Sequence, residues 1–156
     1  MGGVVINSPA IRILGVSGAA STAPADTADN TLATISVPAG SMGPNGILRI
    51  TTLWSHTNSA NNKTLNVKFG GTSWLSNIAT TTSVTQNMVM IRNRGVTNSQ
   101  VGFMATTFQS FVTAAASAVT ASIDTTTAQS ITITGQKASA GETITLESYL
   151  VELILP

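Results

Sequence analysis

Hydrophobic side chains in this chain recur with a period of two, and short turn-forming stretches break the pattern at close intervals. Leu65, Val67 and Phe69 alternate with Asn66 and Lys68. Successive side chains of a strand point to opposite faces, so a run of this kind buries one face and wets the other. Ile131 and Ile133 alternate with Thr132 and Thr134 in the same way, and Leu48, Ile50 and Trp54 share one parity across 47–56. Ala33, Ile35 and Val37 interleave with Leu32, Thr34 and Ser36 until Pro38, which has no N–H to give to a ladder, stops the run. Residues 88–91 are apolar on both parities, as a strand sandwiched between two layers would be. The longest run, 143–155, is expected to carry Ile144, Leu146 and Leu150 on one face and Tyr149, Val151 and Leu153 on the other.

Between these runs lie PAGSMGPNG (38–46), NSANN (58–62), Gly70–Gly71, TTTS (80–83) and KASAGE (137–142). These supply left-handed backbone positions or Asx turns. About eight short strands spaced by such turns predict an all-β fold, an antiparallel β-sandwich of jelly-roll type spanning residues 32–156. Residues 1–31 are expected to form an N-terminal strand and an extended arm, because 17–31 hold few large apolar side chains. One segment competes. Met104, Phe108, Phe111, Ala115 and Val119 fall at helical spacing, yet Thr106, Thr107, Thr113 and Thr120 are stiff at χ1 and disfavour a helix. Strands with a loop are preferred over a short helix for 104–119.

Charged residues make up 8% of the chain, against roughly 25% in an average soluble domain. Thr and Ser fill the gap, with 25 and 17 of the 156 positions. An apolar content of 42% excludes disorder of the whole chain. The formal charge is +1, and the seven basic residues are scattered from Arg12 to Lys137. That distribution argues against nucleic acid as a partner, since such affinity comes from clustered cations. There is no cysteine, hence no disulfide framework, and no run of 18 apolar residues to span a membrane. The N-terminal stretch lacks the basic region of a signal peptide, so synthesis in a cytoplasm is expected.

Chemistry-bearing motifs are scarce. The single histidine, His56, ends the run ITTLWSH and reads as a strand-end surface residue, with a ligand or subunit contact as the sharper alternative. No nucleophile elbow, phosphate-binding glycine loop or HExxH occurs, and Glu142, Glu147 and Glu152 are spaced so that they alternate faces of a strand. The chain is therefore expected not to be an enzyme and to use no cofactor and no metal. Trp54, Trp74 and Tyr149, with Asn58, Asn61 and Asn62 of the 58–62 turn, form a candidate glycan or partner contact. Core or interface packing is the competing reading of both indoles. Phe103, Phe108 and Phe111, together with Arg92 and Arg94, are candidate subunit-interface residues.

A surface of Thr, Ser, Asn, Ala and Gly with so little charge does little to hold copies apart, and its short side chains lose little entropy when covered. Self-association is therefore expected. The tract GILRITTLWSHTNSANNKTLNVKFGG (46–71), with the ending ITITGQKASAGETITLESYLVELI (131–154), resembles the small all-β structural proteins of tailed bacteriophages. The resemblance implies a jelly roll that forms homotrimers and either decorates the capsid, with the major capsid protein or another virion protein as partner, or belongs to a fibre. It carries over no functional residue. The expectation is a capsid decoration or cement protein located in the virion. A fibre-tip module that recognises a host glycan is the alternative. A small-virus coat protein is disfavoured, because Arg12 is the only basic residue among the first 48.

Overall fold

A computed structural model describes residues 10–103 and 118–155. They form eleven strands and, among the described residues, no helix. The strands are β1 (Ala10–Ser17), β2 (Ser21–Thr22), β3 (Asn30–Val37), β4 (Ile47–His56), β5 (Lys63–Phe69), β6 (Thr72–Ala79), β7 (Val84–Asn93), β8 (Gln100–Gly102), β9 (Val119–Ala121), β10 (Gln129–Lys137) and β11 (Ile144–Leu155).

Their pairing is that of one long hairpin rolled onto itself. At its tip β5 pairs with β6 across Gly70 and Gly71, both at positive φ (54° and 80°), the backbone that a two-residue hairpin turn of type I′ demands. Outward from the tip, β4 pairs with β7, β3 with β10, and β1 with β11, all antiparallel. Rolling brings β11 against β4 and β10 against β5. One sheet then runs β1-β11-β4-β7-β8-β9, with β2 also on β11, and the other runs β3-β10-β5-β6. This is the jelly-roll order, and the sandwich expected from alternation is the observed fold. The extra strands are short: β2, β8 and β9 have two or three residues each.

The inner faces bury Leu48, Ile50, Trp54, Leu65, Val67, Phe69, Trp74, Ile131 and Ile133 completely. Each such side chain contributes about 1.5–3 kcal/mol by leaving water. In β11 the expected parity does not hold along the whole strand. A bulge between Leu146 and Ser148 inserts Glu147, and the alternation restarts one residue later. Ile144, Leu146, Val151 and Leu153 therefore all join the core, while Leu150, Glu152 and Ile154 take the opposite face. Residues 17–31 are extended but not free. Ser21–Thr22 pair with β11, Ala23 is buried, Lys68 bonds Asp29 at 2.6 Å, and Gln136 donates to the Thr27 carbonyl. Of the competing segment 104–119, residues 104–117, with Phe108 and Phe111, lie outside the described residues, and Val119 opens β9.

Candidate functional site

The outer face of the larger sheet is the surface that the fold leaves apolar. Strand register sets its side chains in rows. Ile11, Ile154, Ile47 and Arg92 stand in one row, and Ile13, Glu152, Arg49 and Met90 in the next. Val16, Leu150, Thr51 and Met88 follow, then Ser148, Leu53 and Gln86. Ile11, Ile13 and Val16 are 56%, 50% and 68% exposed, which is high for side chains of this size and sets the face apart from a wetted Thr/Ser surface. A shallow hollow of about 430 Å³ opens at one end of the face, lined by Val16, Thr51, Leu53, Gln86, Ser148 and Leu150 among others.

The charges at the centre of this face neutralise each other. Arg49 grips Glu152 with two parallel bonds, Nε to Oε2 at 2.6 Å and Nη2 to Oε1 at 2.8 Å. The guanidinium holds the Glu152 carboxyl below its usual range, chiefly through these hydrogen bonds. Arg92 lies at the margin, exposed, with Nη2 on the Met90 sulfur at 3.3 Å. Arg94 is exposed just beyond the end of β7. Phe103 is half-buried against the core.

The candidate glycan platform is not assembled. Trp54 and Trp74 are both fully buried between the sheets, so neither ring face is open to a sugar. Trp54 Nε1 donates to Thr52 Oγ1 at 2.9 Å inside the core. Asn58, Asn61 and Asn62 remain exposed on their turn. His56 is not a surface residue either. It ends β4 with 5% exposure, pairs Nε2 with Thr85 Oγ1 at 2.9 Å, and has its pKa lowered by burial and by the Lys63 charge. The reason is register: His56 continues the inward parity of Leu48, Ile50 and Trp54, at the strand end that leads into the 57–62 turn.

That turn is held by a buried cation that sequence reasoning did not single out. Lys63 is fully buried, donating to the Ser59 carbonyl at 3.3 Å and to Ser59 Oγ at 3.0 Å, with Glu142 at 3.8 Å. Ser59 and Asn61 donate to the Glu142 carboxylate, and the Ser59 bond leads in keeping its pKa below the ordinary value. The signal available was Lys63 at the first inward position of the Leu65, Val67, Phe69 run. A second polar knot joins Asn93, Gln100, Thr125 and the Ile123 backbone at the other end of the sandwich. Asn77 and Asn87 are buried with neither amide atom bonded to protein. Among the described residues no three His, Cys, Asp or Glu side chains converge on a metal position, and no helix is long and apolar enough to cross a membrane.

Comparison with protein families, with curated proteins and with solved structures returns no match to this chain.

Proposed function

We propose that this chain is a non-enzymatic structural protein of a bacteriophage virion: a capsid decoration protein that associates with copies of itself and stabilises the shell through the major capsid protein. The observation that carries this reading is the apolar outer face of the larger sheet. A jelly roll already buries its inner faces. A second apolar face, with its one central ion pair closed on itself, suits a protein whose working state is an assembly. The carboxylates Glu142 and Glu152 hold structural partners, which fits a scaffold better than acid–base chemistry. The low surface charge and the resemblance of 46–71 and 131–154 to phage structural proteins point the same way, and the resemblance implies three copies.

The test is a solution mass followed by co-sedimentation of the intact chain with purified tailed-phage capsids. Assemblies of two or more copies that pellet with shells are expected. A monomer that leaves the shells bare would overturn the proposal. The glycan-recognition alternative is less well supported, because both tryptophans belong to the core and Tyr149 packs half-buried against it.

A further inference from the structure

We infer that His56 is an acid-sensitive latch: when its ring takes up a proton, the turns 57–62, 80–83 and 138–143 at one end of the sandwich come apart, while the strands behind them stay paired. This goes beyond the proposed function and does not rest on it, since it concerns the single chain.

The three turns meet around the end of β4, and backbone bonds tie them together. The His56 N–H donates to the Ser83 carbonyl at 2.9 Å, the Thr57 N–H to Thr143 at 3.1 Å, and the Ala138 N–H to Asn62 at 2.9 Å. The Thr143 N–H returns a bond to Thr57 Oγ1 at 2.9 Å. The turns read TNSANN, TTTS and ASAGET, without one large apolar side chain. Little burial therefore resists their opening, in contrast to the core strands. His56 lies at their junction, on the inward side of β4 and opposite Ile144 of β11.

The surroundings of the ring suit only its neutral form. It is buried, with Nε2 paired to Thr85 Oγ1 at 2.9 Å. The Thr57 and Thr82 backbones lie beside it, but buried Nδ1 bonds neither. Among the described residues, β5 brings the Lys63 ammonium toward it, and the 138–143 turn brings Glu142 to the far side of Lys63. The other neighbours are uncharged: Thr85 on β7, Thr82 in the 80–83 turn and Ile144 on β11. Glu142 is already engaged, 3.8 Å from Lys63, accepting from Ser59 and Asn61 and drawn on by Lys137 as well. Glu147 accepts from Ser55, on the opposite parity of β4. A proton on His56 thus adds a second buried cation beside Lys63, with no second carboxylate to answer it.

Opening the turns returns the ring to water. Burial and the Lys63 charge hold the pKa of the closed form below 6.5, so the open form binds the proton more readily and acid favours opening. One proton taken up on opening shifts the equilibrium by up to about tenfold per pH unit, from pH 6.5 downward until the closed form titrates too. The far end of the sandwich is a control within the same molecule. Its polar knot of Asn93, Gln100 and Thr125 contains no titratable side chain.

The test is amide hydrogen exchange of the full chain, followed residue by residue by NMR from about pH 7.5 to about pH 5, with protection corrected for the intrinsic pH dependence of exchange. The His56, Thr57, Ser59 and Ala138 amides should lose protection about tenfold or more. The Gly40, Asn93 and Thr125 amides, bonded at the far end, should keep theirs. H56Q, whose amide can still bond Thr85, should lose none at either end, and K63M, which removes the neighbouring cation, should shrink the loss. Equal loss at both ends would overturn the latch by making the response global. A loss that persists in H56Q would overturn it by assigning the proton to another group. Unchanged protection in wild type would overturn it as well. So would protection that rises in acid, which would set the charged ring against Glu142 Oε2, an atom now without a partner.

Discussion

Gly102 on β8 faces the indole of Trp74, and an added methyl there should be felt across the whole sandwich. A Cβ built on Gly102 would lie 2.9 Å from both Cε3 and Cζ3 of Trp74 and 2.8 Å from the Met90 carbonyl oxygen. Carbon atoms in ordinary contact stand about 3.5–4.0 Å apart. The indole would therefore have to retreat by roughly 0.6–1 Å, and Trp74 is fully buried. Overpacking of this degree costs about 2 kcal/mol. For a domain of this size that lowers Tm by ~4–8 °C. The assay is a double-mutant cycle by thermal unfolding at one fixed protein concentration, with Gly102→Ala, Trp74→Phe and the pair. Phe lacks the outer ring that carries the clash, so Gly102→Ala should cost at least ~1 kcal/mol less in the Trp74→Phe background. The Met90 carbonyl contact persists in both and keeps the relief partial. Additive effects, or a Gly102→Ala variant as stable as wild type, would refute the placement of Trp74 against β8 and reopen the indole as a surface group.

Other consequences of the same geometry are open to measurement. Gln100 serves Asn93, the Ile123 carbonyl and the Ile123 N–H at once. Gln100→Leu, which strands these buried partners, should therefore cost about 3 kcal/mol or more in denaturant unfolding; a loss below ~1 kcal/mol would deny the knot any structural weight. Asn77→Leu should raise Tm by several degrees, because it removes a buried amide that no protein group satisfies; a lower Tm would mean that bound water serves that amide. Stability should fall with acid in two stages. His56, depressed below 6.5 when folded, contributes stability that is complete above pH 6.5 and is lost as pH falls toward its folded value. Glu142 and Glu152, depressed below 4.5, contribute stability that is lost only below about pH 4.5. Tm followed against pH should show both stages in wild type and only the lower one in His56→Gln. An unchanged upper stage would assign it to another group.

Where alternation is strict, the sequence is enough to read the core. Leu48, Ile50, Leu65, Val67, Phe69, Ile131 and Ile133 are placed inside by parity alone, and all are fully buried. Parity fails where the backbone inserts a residue. Nothing in TITLESYLVEL marks Glu147 as the bulge, because a bulge is chosen by how two strands pair and not by either strand's own pattern. His56 and Lys63 defeat the reading for a different reason. Each is a polar residue on an inward position, and a polar side chain at a strand end is more often solvated than buried. Only the fold supplies Thr85 for the histidine, and Ser59 with Glu142 for the lysine.

The outer face was visible in the sequence, but with its meaning incomplete. Residues 88–91 are apolar on both parities, which implies a strand covered by a layer on each side. In the sandwich Val89 and Ile91 meet the opposite sheet, while Met88 and Met90 point the other way and stay half-exposed. Across β4, the same holds for β11: Val151 and Leu153 face the core, Leu150 and Ile154 face out. Two central strands of one sheet thus carry the pattern of a three-layered structure in a chain whose described residues form two layers. Their shared outward rows define one continuous face, with the bonded Arg49–Glu152 pair at its centre. The both-sided apolar strand and the exposed isoleucines of β1 are then parts of one face, the face on which the proposed self-association rests.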